Sequence, residues 1–398
     1  MNNTRDKKPL GAAALTYLLF LIYAISTGLI GTLMAALLSG FGLDLAGGGS
    51  FTLAQYLGSG TAVLFSGALL CKYRKWNIIL VCYVVFTAGL CLVGTVGSLT
   101  YFLALLFVIG MATKLVDVTC NAVISQIFVK NKGLYMNLLH ASFGIGNFLG
   151  PFLAERVLAS GLRWQTAFVI VGGLAAAGLC LFLVRLFGKK LPDTMPGEGE
   201  KLCVGRLLRS GDIWLLILTL MFYCGHQIGT SSWFVLYLTD VCGASSSAGS
   251  LGMSLFWLGL LVCRLACSGL SVKIPVKWLL LTGAAAGAAA LAAGTWIGSS
   301  AAATAGGLLA GLFAGATIPL CMTLGYEAHP KAQGTVSMLL FLSICAGQIV
   351  GPWGMGLVAN GGGLTAAMWL NCGCLALCAV TALLYVLRQR RTGPKEEN

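Results

Sequence analysis

Twelve long apolar stretches dominate this sequence of 398 residues. Each stretch is long enough to cross the hydrocarbon core of a bilayer as an α-helix, which takes about 17–25 residues. The stretches cover residues 11–38, 51–71, 76–97, 99–128, 135–158 and 165–187, and then 212–238, 247–270, 277–298, 301–325, 334–358 and 364–387. We therefore predict an all-α integral membrane protein with twelve transmembrane helices.

The composition supports a chain that lies within the membrane. Hydrophobic residues make up 58% of the sequence and charged residues 9%, whereas a water-soluble domain carries about 25% charged residues. The 54 glycines suit the close approach between helices that small residues allow in lipid. The 15 cysteines show neither a CxxC pair nor the spacing of a metal site, so we expect no bound metal and no cofactor.

The basic residues indicate the orientation of the chain. A formal net charge of +13 is compatible with a nucleic-acid partner, but the distribution of the charge indicates membrane topology instead. If the N-terminus is cytoplasmic and the spans alternate, most of the 25 Lys and Arg residues fall on the cytoplasmic side, as the positive-inside rule requires. We predict a multi-pass protein of the cell (cytoplasmic) membrane with both termini cytoplasmic, and no nucleic-acid partner.

The sequence also contains an internal repeat. Residues 133–151 read GLYMNLLHASFGIGNFLGP, and residues 334–352, which lie 201 positions later, read GTVSMLLFLSICAGQIVGP. Parallel six-helix repeats with a solute site at their interface are a transporter architecture. We predict an N-terminal six-helix bundle at 1–188, a cytoplasmic linker at 189–211 and a C-terminal six-helix bundle at 212–398.

Four spans carry motifs that can be compared with known families. They are Asp117 with Asn121 in span four, Met136-Asn-Leu-Leu-His-Ala-Ser-Phe-Gly-Ile-Gly-Asn-Phe-Leu-Gly-Pro151 in span five, Gly225-His-Gln-Ile-Gly-Thr-Ser-Ser-Trp233 in span seven, and Phe256-Trp-Leu-Gly-Leu with Arg264 in span eight. Together they resemble the major facilitator superfamily and, within it, the branch of transporters similar to the fucose:proton symporter.

The resemblance implies a fold of two six-helix pseudo-repeats and a secondary active transporter that works by alternating access. It also implies a small polar solute, such as a sugar or a sugar-like compound, and proton symport as the first expectation. The sequence departs from the patterns of the superfamily and of the branch. Span one has no acidic residue, and Cys71 stands where the first cytoplasmic loop motif of the superfamily carries an Asp. Val272 occupies the matching loop position in the second half, and His226 stands where span seven of many relatives has an acid.

Span four holds an acid and a base in an apolar setting. Lys114, Asp117 and Asn121 are spaced i, i+3 and i+7 and therefore share one face of a helix. An ionised group at bilayer depth costs roughly 2.5–3.5 kcal/mol on insertion scales, so we expect these residues to bind the solute and Asp117 to bind a proton. The alternative is a fixed pair that only holds span four against its neighbours. The matching place in span ten, Ile318-Pro319, carries no charge.

Span seven offers a second group of candidates. Histidine titrates near neutral pH, so we expect His226 to bind a proton or the solute; the alternative is a neutral ring in a helix contact. Amides and aromatic rings suit a sugar, which presents hydroxyl groups and one apolar face. We therefore also predict solute contacts for Gln227, Trp233, Trp257 and Tyr23.

The repeat adds one pair of amides and two prolines. Asn147 in span five and Gln348 in span eleven occupy matching positions, and we predict that both face one solute cavity. Pro151 and Pro352 also match, and because proline removes a helical hydrogen bond and kinks a span, we predict that they serve in gating. His140 and Arg264 are predicted to have gating or structural roles.

Other functions remain as alternatives at this stage. A cation beside a single acid also fits a small organic anion, such as a sugar acid, bound by Lys114, and drug efflux is a further transport alternative. A membrane sensor is compatible with the spans, but the sequence has no signalling domain. An enzyme is not expected, because no nucleophile or metal constellation converges and no phosphate-binding loop is present. We predict a monomer in the lipid bilayer.

Overall fold

The structure is a computed structural model that describes residues 7–128, 132–194 and 204–392. These residues form fourteen α-helices and two short 3-10 helices, joined by short turns. Residues 195–203, which belong to the predicted linker, lie outside the described residues. The bounds of the linker and of the two predicted bundles therefore stay a prediction.

The helices of the first half follow one another with few intervening residues. They are α1 (Lys7–Thr27), α2 (Leu29–Phe41), α3 (Leu45–Lys72), α4 (Lys75–Leu92) followed by a 3-10 turn at Val93–Thr95, α5 (Leu99–Ile127), α6 (Lys132–Ala159) and α7 (Gln165–Phe187). The turn between α4 and α5 ends at Ser98, whose side chain accepts from the Tyr101 N–H and caps α5.

The second half begins with a short helix. Its helices are α8 (Val204–Leu207), α9 (Gly211–Asp240), α10 (Ser246–Leu270), α11 (Val276–Ile297), α12 (Ser300–Ala314), α13 (Thr317–Ala328) followed by a 3-10 turn at Pro330–Ala332, and α14 (Gln333–Thr392). Gly363 has φ 79° and ψ 169°, so α14 is two helices that meet at this residue. Glycine tolerates this backbone conformation because it has no Cβ.

Ten segments of the described chain are long and apolar enough to cross a membrane. One of them joins α1 and α2, another joins α12 and α13, and the last contains both parts of α14. α6 is not among the ten, because Asn137, His140 and Asn147 lower its hydropathy. When α6 and both parts of α14 are counted, the structure contains the twelve predicted spans. The prediction of an all-helical membrane protein is confirmed.

The described chain divides into two compact units. Among the described residues, 7–43, 50–128 and 132–194 form unit 1, and 44–49 and 204–392 form unit 2. Unit 1 contains the first six spans apart from the first turns of α3, and unit 2 contains the last six.

Glycines let α6 approach α1 closely in unit 1. A Cβ atom on Gly146 would lie 2.6 Å from the Cβ of Ala24 and 3.0 Å from the backbone N of Ile25. A Cβ atom on Gly150 would lie 2.7 Å from the Ile25 carbonyl oxygen and 2.9 Å from the Cα of Gly28. Small residues one turn apart permit this kind of helix crossing in lipid. The crossing therefore depends on the absence of side chains at both positions.

The same crossing recurs in unit 2. Gly347 and Gly351 lie 201 positions after the two glycines of α6, and both pack on α9 at Gly225. A Cβ atom on Gly347 would lie 3.0 Å from the backbone N of Gly225. The repeat of the sequence is thus also a repeat of backbone packing.

A second crossing repeats with the same spacing. Gly110 of α5 packs on the backbone of Gln55 in α3, and Gly311 of α12 packs on the backbone of Phe256 in α10. Both the glycines and their partners are 201 positions apart. The repeat therefore extends into spans two, four, eight and ten, where the residue types alone do not reveal it.

Polar and aromatic contacts hold the chain after the last helix of unit 1, and the end of the last helix of unit 2, against the rest of each unit. In unit 1 the Trp76 Nε1 donates to the Pro192 carbonyl oxygen at 2.8 Å. In unit 2 the guanidinium of Arg390 lies 4.9 Å from the centre of the Trp278 ring, a distance typical of a cation–π contact. In the same unit Arg388 Nε donates to Asp212 Oδ1 at 2.9 Å, which joins the end of α14 to the first turn of α9.

Candidate functional site

The acid and the base of α5 form a pair within one helix. The Lys114 Nζ donates to the Asp117 Oδ2 at 3.1 Å, and the Asn121 Nδ2 donates to the Asp117 Oδ1 at 3.0 Å. The side chains of Lys114 and Asp117 are 9% and 19% exposed. These bonds confirm that the three side chains share one face of the helix. Their contact with a solute stays a prediction.

The geometry limits how Asp117 can act. Each of its two carboxylate oxygens already has one donor, so a proton or a solute that reaches the carboxylate either uses the remaining lone pairs or displaces the lysine or the amide. The opposite charges of Lys114 and Asp117 offset part of the cost of placing them in the membrane.

His226 belongs to a buried polar network between α9 and the second part of α14. Its ring is 1% exposed, and its Nδ1 lies 3.2 Å from the Oδ1 of Asn371 and 3.4 Å from the Oγ1 of Thr230. The Asn371 Nδ2 donates to the Thr230 Oγ1 at 2.8 Å. With the amide in this orientation, the His226 Nδ1 is the donor to Asn371. The network joins span seven to span twelve, and binding of a solute or a proton by His226 stays a prediction.

Sequence reasoning missed Asn371. The residue stands in the apolar run Trp369-Leu-Asn-Cys372, and an amide in a membrane span is itself a signal, because its polar atoms need partners there. Its side chain is fully buried. Asn371 is therefore the partner that satisfies both His226 and Thr230.

Asn147 and Trp233 serve as ties between helices in this structure. Asn147 is fully buried; its Oδ1 accepts from the Thr27 Oγ1 at 2.9 Å and its Nδ2 donates to the Phe143 carbonyl oxygen at 3.1 Å. Trp233 is also fully buried, and its Nε1 donates to the Pro352 carbonyl oxygen at 2.9 Å. Their predicted solute contacts would require these bonds to change.

Unit 2 has two polar side chains, Gln227 and Gln348, at the positions that match Thr27 and Asn147 of unit 1, but their hydrogen bonds differ. Asn147 bonds Thr27, which lies two residues beyond the α1 residue that packs on Gly146. In unit 2 the matching glycine is Gly347, which packs on Gly225 of α9. Gln227 lies two residues after Gly225, and Gln348 directly follows Gly347. Gln227 and Gln348 thus take the places that Thr27 and Asn147 take in unit 1.

The hydrogen-bonding state of these two glutamines differs from that of the unit 1 pair. Gln227 is only 3% exposed, and its side chain has no hydrogen-bond partner among the described residues. The Oε1 of Gln348 is buried and likewise has none within the described chain. A buried amide that lacks partners loses roughly 1–3 kcal/mol. Unit 2 therefore presents two amides that can still bond a polar ligand.

Arg264 contacts the break between α12 and α13. Pro319 has no N–H group, so the carbonyl of Gly315, four residues earlier, receives no helical hydrogen bond from it. The Arg264 Nε donates to this oxygen at 3.1 Å, and the Tyr223 hydroxyl donates to it at 3.4 Å. This contact stabilises the interrupted helix, and a role of Arg264 in gating stays a prediction.

The remaining predicted residues lie among aromatic side chains or within the repeated helices. Tyr23 and His140 pack around Phe20, with ring centres 5.4 and 6.4 Å from it. Trp257 is 2% exposed, and its ring lies edge-on to Phe256 at 5.8 Å. Pro151 lies inside α6, as Pro352 lies inside α14. Their predicted roles in solute binding and gating stay predictions.

The sequence of the chain matches the pattern of a known protein family. The sequence pattern of the Major Facilitator Superfamily matches residues 16–352 and 235–398. Two curated proteins are similar over part of the chain. The sodium-dependent glucose transporter 1 of Xenopus laevis is 25% identical over 211 residues, which is 45% of this chain and 43% of that protein.

The niacin transporter NiaP of Acinetobacter baylyi is 24% identical over 174 residues, which is 44% of this chain and 38% of that protein. The chain thus matches less than half the length of these curated relatives. Their names differ in solute, and neither solute is assigned to this chain by the similarity.

Solved structures have the same fold over nearly the whole chain. The POT family transporter PepTSo is similar with a TM-score of 0.78 at 16% identity, over 99% of this chain and 100% of that chain. The E. coli fucose:proton symporter FucP has a TM-score of 0.67 at 17% identity, over 95% of this chain and 99% of that chain. The family match, supported by this shared fold, shows a multi-pass membrane transporter and not an enzyme. The chain belongs to the major facilitator superfamily.

Proposed function

We propose that the protein is a secondary active transporter of a small polar solute, a sugar or a sugar-like compound, which it moves by alternating access. The observation that carries the proposal is the pair of glutamine amides in unit 2. Gln227 and Gln348 are largely buried and lack partners within the described chain, whereas the matching pair in unit 1 is bonded. An amide offers both donors and an acceptor, which is what a hydroxyl group requires.

The similarity of the span motifs to the sugar branch supports the same solute class. In unit 1 the α5 cluster holds groups of the same chemical kind: the amide of Asn121 can donate to or accept from a hydroxyl group, the carboxylate of Asp117 can accept, and Lys114 can donate. In unit 2 Trp257 supplies an aromatic face; its ring packs against Phe256, which in turn contacts the His226 ring at 5.9 Å. In this proposal the protein lies in the cell membrane as a monomer with both termini cytoplasmic.

Proton symport is the proposed coupling. Asp117 is the first proton site, because a proton there removes the negative charge that pairs with Lys114 and so links protonation to the state of the cluster. His226 is the second candidate, although its network with Asn371 and Thr230 has to open before the ring can exchange a proton with water.

Transport by purified protein in proteoliposomes tests the proposal. Vesicles preloaded with unlabelled fucose or glucose should take up the labelled sugar by exchange. Replacing both amides, Gln227→Leu with Gln348→Leu, should reduce this exchange at least tenfold, since each amide that bonds a solute is worth about 1 kcal/mol or more. Gln165→Leu is the control, because Gln165 is a buried amide at the start of α7 in unit 1 whose Oε1 likewise has no partner within the described chain, and it is not part of the proposed site. Equal exchange in the double variant and the control would exclude the amides from solute binding.

A second measurement separates coupling from binding. If Asp117 carries the proton, Asp117→Asn should abolish accumulation of the sugar against its gradient and leave exchange intact. Accumulation that persists in Asp117→Asn would exclude Asp117 as the proton site.

A small organic anion is the second candidate solute. The observation that favours it is a cation in the interior of each unit, Lys114 and Arg264. Competition of labelled sugar exchange by gluconate distinguishes a neutral solute from an anionic one.

A further inference from the structure

Arg264 belongs to α10, which is span eight, and its guanidinium contacts the middle of span ten, which consists of α12 and α13. Gly315, whose carbonyl oxygen it contacts at 3.1 Å, is the sixteenth residue of the 29-residue span Ser300–Ala328. Lys114 is the sixteenth residue of the 29-residue span Leu99–Ile127 and lies 201 positions before Gly315. Spans four and ten match in the repeat. Each has a cation at its sixteenth residue: Lys114 belongs to span four itself, whereas Arg264 reaches the matching residue of span ten from span eight.

The two cations differ in their partners. Lys114 pairs with Asp117 at 3.1 Å, but the residue that matches Asp117 is Ile318, which is apolar. In the described part of unit 2 no carboxylate forms an ion pair with Arg264. An unpaired cation at bilayer depth is costly, roughly 2.5–3.5 kcal/mol on insertion scales. A counter-ion from outside the chain would remove much of that cost.

The orientation of the side chain is suitable for such a counter-ion. Arg264 is partly buried; it follows Trp257 and Leu260 on the buried face of α10, and its bond to Gly315 directs the side chain toward the break between α12 and α13. Among the described residues only its Nε has a hydrogen-bond acceptor, the Gly315 carbonyl oxygen, which leaves the N–H groups of its two terminal nitrogens for a ligand. Two parallel N–H groups match the two oxygens of a carboxylate. One positive charge also balances a monovalent carboxylate better than a divalent phosphate.

We propose that Arg264 binds a carboxylate of the transported solute, which is then a small hydroxylated acid of the sugar-acid type. The solute carboxylate is then the counter-ion of Arg264 in unit 2, as Asp117 is the counter-ion of Lys114 in unit 1. The inference rests on the proposed function and names the substrate class more narrowly: the amides of Gln227 and Gln348 bond the hydroxyl groups, and Arg264 selects for charge.

Thermal stabilisation of the purified, full-length protein by matched probes tests the proposal. The probes are glucuronate, its uncharged analogue glucuronamide, gluconate, glucose and glucose 6-phosphate. At least one of the two carboxylates should raise the melting temperature at concentrations where glucuronamide and glucose do not. In Arg264→Gln the apparent affinity for that carboxylate should fall roughly tenfold to hundredfold, as expected for bonds to a charged group, while Arg264→Lys should retain part of it.

The control is Tyr223→Phe, which removes the other donor to the Gly315 carbonyl oxygen without changing the charge. This variant should keep the preference for the carboxylate, so a loss confined to Arg264→Gln cannot be assigned to a weakened helix break. The proposal is refuted if neither carboxylate is preferred over the uncharged probes, if glucose 6-phosphate is preferred over both, or if Arg264→Gln keeps the preference.

Flux in proteoliposomes distinguishes this inference from the proposed function. Glucose exchange that gluconate and glucuronate do not inhibit would refute the role of Arg264 and leave sugar transport standing. A preference for carboxylates in thermal stabilisation without flux of any probe would support the binding role and refute transport of these compounds.

Discussion

Adding one methyl group at Gly146 tests whether glycine contacts hold α6 against α1. In Gly146→Ala the new Cβ would lie 2.6 Å from the Cβ of Ala24 and 3.0 Å from the backbone N of Ile25. Carbon atoms in contact are normally about 3.5–4.0 Å apart, so the two helices have to separate by roughly 1 Å. Such overpacking costs about 1–3 kcal/mol, and it disturbs every contact along the crossing.

The matched control is Gly173→Ala in α7. A Cβ atom there meets nothing within 4 Å, and the residue is exposed. Replacing a helical glycine by alanine stabilises a helix by about 0.5–1 kcal/mol. This gain is common to both variants, so the difference between them reports the packing cost alone.

The assay is the melting temperature of the purified protein in detergent, followed by tryptophan fluorescence at one scan rate, because unfolding of such proteins is often irreversible. Gly146→Ala should melt several degrees below Gly173→Ala. The same difference should separate Gly347→Ala from Gly373→Ala in unit 2, where the second substitution also meets nothing within 4 Å. If Gly146→Ala melts at or above the temperature of Gly173→Ala, the glycine contacts do not determine this crossing.

Three further predictions concern polar contacts. Asn371→Leu should lower the free energy of unfolding by about 1–3 kcal/mol, because it leaves a buried histidine and hydroxyl without their partner; denaturation of the purified protein checks this, and an unchanged stability contradicts the network. Trp233→Phe should cost about 1 kcal/mol through the lost bond to the proline carbonyl, and a melting temperature equal to that of the wild type would contradict it. Asp212→Asn should weaken the tie to Arg388 by at most about 1 kcal/mol; because Arg388 is 49% exposed, the difference from the wild type should shrink in high salt, and a difference that salt does not change would point to another cause.

The spans could be predicted from the sequence because length and hydropathy are local properties. The prediction of 165–187 agrees with α7 (Gln165–Phe187), and that of 99–128 agrees with α5 (Leu99–Ile127) to within one residue. The breaks within spans one and ten were not predicted. The break after Gly315 depends on Pro319 and on hydrogen bonds from Arg264 and Tyr223, which lie in two other helices. The hydropathy of span ten does not depend on these partners and so cannot predict the break.

The polar sites were predictable only in part. The shared face of Lys114, Asp117 and Asn121 follows from their spacing along one helix. The partner of His226 could not be found in this way, since Asn371 lies 145 positions away and no pattern along the chain joins the two. Packing also determines which amide side chains have hydrogen-bond partners. Asn147 has two such partners, whereas Gln227 has none among the described residues.

The network of His226, Thr230 and Asn371 has a consequence for how the second half of the chain is made. The first two residues enter the membrane with span seven, whereas Asn371 follows in span twelve, after the ribosome has added 145 more residues. Until then a histidine and a threonine in α9 have to find temporary partners in the translocation site or in water, since lipid offers none. Arrival of the last span closes the network and commits unit 2 to its final arrangement. A nascent chain that stops before Gly363 lacks that step, and its α9 should remain open to chaperones and membrane proteases.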